Sequence, residues 1–230
     1  MIFAANRPDF FPGLMFWAKM INSDALLLAD DLQFISKSTI NRCLIKTVAG
    51  AQWLTVPILA KGFGEQKIKD VRINNDTKWR QKHWKTLLVN YKNAAYFEKY
   101  DLYLKSVYAK KWTFLIDFNF ELIQFVKQEL GIESKLKWTS AIDAHEKGAA
   151  LIAAWAKKLE AETYVVEGTF QKYLTENAAL IQDLKVQYIN LQIQSYFQQF
   201  ENFTPGLSVI DLLFNEGDEA QSILREMGKI

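Results

Sequence analysis

The first thirty residues alternate apolar runs with polar breaks in the order strand, helix, strand. Residues 1–5 and 25–29 are short and apolar, which is typical of buried strands. Between them, residues 6–12 contain two prolines and predict a loop, and the apolar residues 13–21 predict a short buried helix. The opening therefore predicts a βαβ unit with two parallel strands.

Beyond this unit the pattern alternates between strand-like and helical segments. Short β-type runs fall at residues 42–47, 52–58, 67–73, 136–139 and 163–166. Helical periodicity falls at residues 77–91, twice within 96–130, and at 144–161 and 219–227. These elements predict an α/β protein in which the N-terminal βαβ unit joins a small mixed sheet, with a helical middle and C-terminal region. We expect a single domain over residues 1–230.

Ser208 and Asp211 stand three residues apart inside the apolar stretch 207–214. This spacing predicts Ser208 as the N-cap of a helix over residues 209–214, with Asp211 at the acidic N3 position. Because its neighbours are apolar, Asp211 is expected to be drawn toward the core. There it would accept backbone N–H groups or pair with a basic side chain. The alternative is a catalytic base.

Composition excludes several classes of protein. A single cysteine and 2 histidines give no disulfide framework and no side-chain zinc site, so no metal is predicted. Cys43 is expected in the core and His145 at the surface. No apolar run is long enough to span a bilayer and no signal peptide is evident, so a cytoplasmic location is expected. The dinucleotide, phosphate-loop and nucleophile-elbow motifs are missing, and no cofactor is assigned.

The charge is unevenly distributed along the chain. Residues 61–111 carry 13 Lys and Arg against 5 Asp and Glu, although the whole chain has a net charge of only +2. Such a segment could meet the phosphates of a nucleotide or coenzyme, or it could be a solvated lysine-rich helix face. Nucleic acid is disfavoured as a partner, because the pI is a modest 8.4 and no nucleic-acid-binding module is present.

An acid pair, Asp30 and Asp31, follows the second predicted strand. The carboxyl ends of parallel strands are where α/β folds bind ligands. The pair could hold Mg²⁺, accept a proton or bind sugar hydroxyls, or it could only cap a turn. Lys37, Asn41 and Arg42 follow shortly afterwards, so acidic and basic groups are expected to converge on one region.

Arg80 and His83 lie on the helix predicted at residues 77–91. Arg80 falls inside the apolar arc of that helix and needs an anion, either an acid such as Asp30 or a ligand phosphate. The imidazole of His83 suits acid–base catalysis. The alternative is a boundary histidine held between Trp79 and Leu87.

A series of motifs along the chain resembles one known family. The motifs are Arg7-Pro-Asp-Phe-Phe-Pro12, Lys19-Met20, Asp30-Asp-Leu-Gln-Phe34, Asn41-Arg42, Trp53-Leu-Thr-Val-Pro57, Trp79, His83, residues 196–203 and residues 207–217. Together they resemble the WbqC-like family over nearly the whole chain. The family's opening usually reads Gln-Pro-x-Tyr-Phe-Pro-Trp, and here Arg7, Phe10 and Gly13 replace the Gln, the Tyr and the Trp.

The resemblance implies a role among bacterial surface-polysaccharide genes. We expect a group-transfer enzyme that acts on a nucleotide-linked sugar, with a nucleotide sugar or an acyl donor as its small-molecule partner. Asp30 or His83 would handle the proton. The expected phosphate- or ligand-binding residues are Arg7, Asp31, Lys37, Asn41, Arg42 and Arg80. The alternative is a non-catalytic protein of the same pathway that binds a glycan or a partner enzyme.

The order of the first elements also looks topologically like the opening of the HxGH nucleotidyltransferases. The two histidines of that motif are absent, and Arg7 and Asp9 stand near their places. This likeness concerns the fold and does not by itself carry the chemistry across.

Overall fold

The computed structural model describes residues 1–59 and 66–229 and contains two separate sheets. Its strands are β1 (Ile2–Asn6), β2 (Ala25–Leu28), β3 (Arg42–Thr47), β4 (Gly50–Thr55), β5 (Lys135–Trp138), β6 (Thr163–Glu167) and β7 (Lys185–Ile189). Its α-helices are α1 (Leu14–Ile21), α2 (Trp79–Tyr91), α3 (Phe97–Ala109), α4 (Leu115–Glu129), α5 (Ala149–Leu159), α6 (Gln171–Glu176), α7 (Val209–Glu216) and α8 (Ala220–Met227). The first residues of the basic segment, 61–65, lie outside the described ranges.

The predicted βαβ opening is confirmed. β1 and β2 pair in parallel, with Phe3 opposite Ala25 and Asn6 opposite Leu28, and α1 connects them. All four residues of β2 are buried. Helices cover both faces of the sheet at its central strands, so β1 and β2 are short apolar runs, unlike the half-polar edge strands β5 and β7. These apolar runs are why the sequence alone identified the unit.

The main sheet has the strand order β5-β2-β1-β6-β7, and every pair in it is parallel. β3 and β4 form a separate antiparallel hairpin. Alternate residues of one strand enter different apolar clusters: Ala4 packs with α1, α4 and α7, and Phe3 packs with α5. Because successive strand residues point to opposite faces, the two clusters are the two layers that enclose the sheet. The fold is α/β.

The strand order reverses between β1 and β6. From β1 the chain moves outward to β2 and β5, and it then returns to place β6 on the other side of β1. The loops after β1 and β6 therefore diverge and leave a crevice at the carboxyl edge of the sheet. In doubly wound folds this is the position at which ligands bind.

Three segments differ from the sequence-based predictions. Residues 67–73 form a 3-10 helix (Ile68–Asp70) with flanking single bridges, because their amides bond to loops: Lys69 N donates to Asp30 O and Ile73 N to Thr113 O. The helix predicted at 144–161 begins only at Ala149, after Gly148 at φ +59°. β7 was not predicted, since its sequence KVQYI is half polar and only its last residue is fully buried.

The C-terminal helix α7 confirms the predicted cap and corrects the predicted partners of Asp211. The Ser208 hydroxyl accepts a hydrogen bond from Ile210 N and donates one of 2.8 Å to Phe11 O. Asp211 is completely buried, and within residues 1–59 and 66–229 it makes no ion pair with a basic side chain. Its two oxygens accept hydrogen bonds of 2.9 Å from the hydroxyls of Tyr91 and Tyr196. Tyrosines distant in sequence satisfy this carboxylate, which helical spacing could not reveal.

Candidate functional site at the carboxyl edge of the sheet

A cleft of about 310 Å³ opens where the strand order reverses. Asn6 at the end of β1 and Glu167 at the end of β6 bound it on the sheet side. Asp9 from the loop after β1 adds a second carboxylate. The remaining wall is largely apolar and includes Met15, Leu191, Ile193 and Leu207. The cleft thus combines acidic groups with a hydrophobic surface.

The loop that carries Asp9 is held by buried polar contacts. Asn119 on α4 is completely buried, and its Nδ2 donates hydrogen bonds of 2.8 Å to Pro8 O and 2.7 Å to Ile40 O. Phe11 has φ +41°, a conformation that a bulky residue rarely adopts, and its carbonyl accepts the Ser208 hydroxyl. Such strain persists only where surrounding contacts impose it, and it is common at functional sites.

The Asp9 carboxylate has few hydrogen-bond donors. Oδ1 is buried without a partner among the described residues, and Oδ2 accepts one long hydrogen bond of 3.3 Å from Asn6 Nδ2. Burial raises the pKa of Asp9 from 3.8 to about 6, against the opposing effects of the Thr39 hydroxyl, Lys19, Arg7 and Asn6. The group therefore titrates close to neutral pH, as proton-transfer groups do.

Lys19 of α1 lies beneath Asp9 and is buried. Its Nζ donates to Ala5 O at 3.0 Å and to Asn6 Oδ1, so the ammonium ties α1 to the end of β1. Burial lowers the pKa of Lys19 to about 8, while the charges of Asp9 and Glu167 act in the opposite direction. Asn6 stands between the two groups, receiving from Lys19 and donating to Asp9. The three side chains form one polar chain, of which Asn6 and Asp9 line the cleft.

A second, smaller cavity adjoins the cleft. Both walls include Gly13 and Gly206, and the smaller cavity of about 60 Å³ is lined further by Thr39, Arg42 and Trp53. The Arg42 guanidinium lies over the Trp53 ring, 4.1 Å from its centroid, and Arg42 Nε is buried without a partner in the described ranges. An arginine held flat on an aromatic ring retains its donors for an anion.

Asp30 and Asp31 lie at the same edge of the sheet but outside this cleft. The Asp30 carboxylate accepts hydrogen bonds from Ser140 N at 2.9 Å and Ser140 Oγ at 2.6 Å. The Thr139 hydroxyl stands between the carboxylates of Asp30 and Asp31. Asp30 therefore fastens the end of β2 to the turn after β5, which corresponds to the turn-capping alternative.

The side chains of Arg80 and His83 both donate hydrogen bonds to backbone carbonyls. Arg80 Nη1 donates to the carbonyls of Ala109 and Lys110 at the end of α3, and not to Asp30. His83 is buried and packs against Phe10 and Trp79, and its Nε2 donates to a backbone carbonyl at 2.9 Å. Burial lowers the pKa of His83 to about 4, so it is neutral at pH 7. Its other nitrogen, Nδ1, has no partner in the described part of the chain.

The remaining predicted contacts are spread around the edge of the sheet. Arg7 is half-buried beside Asp9, and Lys37 is exposed at φ +58°. Asn41 is buried, and its Nδ2 donates to Val56 O at 3.0 Å, so it joins the start of β3 to the segment after β4. Arg7, Asn41 and Arg42 thus surround the loop after β1, whereas Arg80 belongs to the α2–α3 contact. Cys43 is buried and His145 is exposed, as predicted.

Sequence reasoning did not select Asp9, Lys19 and Glu167 as site residues. Asp9 and Lys19 lie in quoted motifs, but only the fold places them together. Glu167 directly follows the strand predicted at residues 163–166, and this position was the one feature of the sequence that could have indicated a site residue. Had the reversal between β1 and β6 been predicted, the polar residues after both strands would have been the first candidates.

Fold and cleft together define a class: a doubly wound α/β protein with a crevice where the strand order reverses, the position at which such folds bind ligands. Within residues 1–59 and 66–229, no helix has the length and apolarity needed to cross a membrane. In the same ranges, no three His, Cys, Asp or Glu side chains gather in an arrangement that could hold a metal ion.

The chain belongs to the WbqC-like protein family. The sequence profile of that family matches residues 7–223, which include all the cleft residues described above except Asn6. The chain is also 31% identical over 204 residues to a Mycobacterium tuberculosis protein named "Uncharacterized protein Rv1507c", and the match covers 88% of each chain. No solved structure matches.

Proposed function

We propose that this protein is a group-transfer enzyme that acts on a nucleotide-linked sugar during the synthesis of a bacterial surface polysaccharide, in the cytoplasm. The donor would be an activated group such as an acyl thioester, or the sugar nucleotide itself. The proposal builds on the family and on the chemistry of the cleft between β1 and β6.

One observation carries this proposal: the cleft and the smaller cavity, which share Gly13 and Gly206 in their walls and are together called the groove below, offer different chemistry. The larger has carboxylates and an apolar wall, and the smaller has Arg42 stacked on Trp53. A nucleotide-linked sugar has the same two parts. Its phosphates suit the arginine donors, and its sugar suits carboxylates and an apolar surface. In this arrangement Arg42 is the phosphate contact, with Arg7 and Lys37 as further cations near the loop.

The test is a calorimetric titration with sugar nucleotides and coenzyme A at low salt. We expect saturable binding of at least one sugar nucleotide, and Arg42→Gln should weaken it about tenfold, the effect of a lost charge-assisted contact. Arg72→Gln is the matched control, because Arg72 also lies over an aromatic ring, Phe114 at 5.2 Å, but does not line the groove. If no sugar nucleotide binds at millimolar concentration, the proposal is wrong.

A non-catalytic glycan-binding protein is the second candidate. The observation in its favour is Trp53, whose side chain remains 42% exposed next to the groove and offers a face on which a sugar ring can stack. The two candidates differ in turnover. Incubation of a bound sugar nucleotide with acyl thioesters, followed by mass spectrometry, yields a modified sugar only if the protein is an enzyme.

A further inference from the structure

We propose that the cleft between β1 and β6 is a subsite for the sugar ring of the ligand, in which Asp9 and Glu167 accept hydrogen bonds from its hydroxyl or amino groups. This inference rests on the proposed function and assigns the sugar end of the ligand to named side chains. It also gives Asp9 a role in binding that the sequence motifs did not indicate.

The first argument is the shortage of donors. An ionised carboxylate can accept about four hydrogen bonds. Asp9 Oδ2 receives one long bond from Asn6, the Thr39 hydroxyl is its other nearby donor, and Asp9 Oδ1 has no partner among the described residues. Glu167 is half-buried at the cleft, and within residues 1–59 and 66–229 its carboxylate makes no hydrogen bond or ion pair. Rotation of the Asp9 carboxylate about its last torsion is easy, so either oxygen can meet a ligand donor. A ligand with O–H or N–H groups would donate the hydrogen bonds that both carboxylates lack.

The second argument is the rest of the wall. Met15, Leu191, Ile193 and Leu207 line the cleft together with the two carboxylates. A sugar ring has hydroxyl groups at its edge and C–H groups on its faces, so it matches a cleft whose lining combines hydrogen-bond acceptors with apolar side chains. A phosphate matches it less well, because both carboxylates line the cleft, whereas the Lys19 ammonium is held by Ala5 O and Asn6 Oδ1 and does not line it.

The surrounding charges set the pH range of the contact. Lys19 and Arg7 face Asp9, Glu167 faces Lys19, and Asn6 and Thr39 are the neutral polar neighbours. With a pKa of about 6, Asp9 is ionised at pH 7.5 and largely protonated at pH 5. Donor groups of a ligand favour the ionised form, so the contribution of the sugar to affinity should fall as the pH drops through 6.

The experiment compares each sugar nucleotide with its free nucleotide by calorimetry. The probes are uridine-diphosphate glucose, uridine-diphosphate glucosamine and uridine diphosphate, together with the guanosine and thymidine counterparts. At pH 7.5 the sugar should tighten binding over the free nucleotide. In Asp9→Asn that gain should shrink about tenfold, the scale of a hydrogen bond to a charged group, with the affinity for the free nucleotide unchanged. Asp76→Asn, an exposed acid before α2, is the control and should keep the gain.

The outcomes separate the two proposals. If no sugar nucleotide binds, the proposed function fails and this subsite fails with it. If sugar nucleotides bind but Asp9→Asn keeps the full gain, only the subsite is wrong. The pH dependence supplies a second readout: a gain that changes between pH 5 and pH 7.5 by the same factor in the parent protein and in Asp9→Asn would also overturn the inference, because the titration of the free nucleotide's terminal phosphate is common to both proteins. A larger gain for glucosamine than for glucose identifies the bound group as an amine, and equal gains identify a hydroxyl; either result supports the subsite.

Discussion

Two buried carboxylates, Asp211 and Asp9, have opposite hydrogen-bond environments. Burial raises the pKa of both. Asp211 on α7 lies in the core, and each of its oxygens accepts a hydrogen bond from a tyrosine hydroxyl. Asp9 lines a cleft with one oxygen unpartnered. A raised pKa therefore does not separate a structural from a functional carboxylate, whereas the number of satisfied acceptors and the presence of an open cleft do.

The surroundings of the two carboxylates explain this difference. Beside Asp211, Lys46 is buried, its backbone N donates to the Tyr91 hydroxyl at 2.8 Å, and its Nζ donates to Gln198 Oε1 at 3.1 Å. These contacts close a network that joins β3, α2 and α7. Beside Asp9, Lys19 donates to Asn6 and Ala5 and makes no hydrogen bond with the carboxylate itself. The core network is complete, and the cleft retains capacity for a ligand.

The largest expected effect is that of Asp211→Ala. It leaves the hydroxyls of the buried Tyr91 and the partly buried Tyr196 without their acceptor, so we expect the free energy of unfolding to fall by about 3 kcal/mol. Urea denaturation followed by tryptophan fluorescence measures this. Asp211→Asn keeps one acceptor oxygen and should cost less. A parent-like stability for Asp211→Ala would contradict a structural role.

Asp30→Asn comes next and tests whether a third carboxylate resembles Asp211 or Asp9. Because Ser140 N and Ser140 Oγ both donate to Asp30, we expect a loss of about 2 kcal/mol in the free energy of unfolding. Thermal melting with Asp76→Asn as the control measures it. A stable variant that has lost turnover would instead support the catalytic role predicted from the sequence.

Asp9→Asn should change stability in the opposite direction. The pKa of Asp9 is higher in the folded protein, about 6, than its ordinary value of 3.8, so the ionised group disfavours folding above pH 6, and this cost is relieved as the pH falls toward 4. Since Lys19 also loses a neighbouring anion, we expect a net gain of about 1 kcal/mol at pH 7.5 and none near pH 4. Urea titrations at both pH values measure it. If Asp9→Asn is less stable than the parent protein at pH 7.5, Asp9 is a structural carboxylate like Asp211, and the contrast between these two carboxylates is wrong.

The smallest expected effect on stability is that of Trp53→Ala. The ring is partly exposed on the β3–β4 hairpin, so the free energy of unfolding should change by no more than about 0.5 kcal/mol. Binding of sugar nucleotides should weaken nonetheless, because Arg42 would lose the ring on which it lies. Calorimetry and thermal melting on the same sample separate the two effects. If binding is unchanged, the smaller cavity is not part of the ligand-binding site.

The sequence by itself determined the elements whose signal is local. The βαβ opening followed from unbroken apolar runs around a proline-rich loop, and the Ser208 cap from its spacing before an apolar helix. The family followed from short motifs that together span the chain. In each case the residues that interact lie within one element or within consecutive elements, so their order along the chain was sufficient.

Only the tertiary structure decided which strands are neighbours and which polar groups meet. β6 pairs with β1 although 156 residues lie between Asn6 and Thr163, and that pairing creates the cleft lined by Asp9 and Glu167. The tertiary structure also decided that Asp211 accepts hydrogen bonds from tyrosine hydroxyls, that Arg80 donates to backbone carbonyls and that Asp30 accepts from Ser140. Whether a polar side chain is satisfied depends on what the fold places within about 3 Å of it, and sequence spacing does not carry this information.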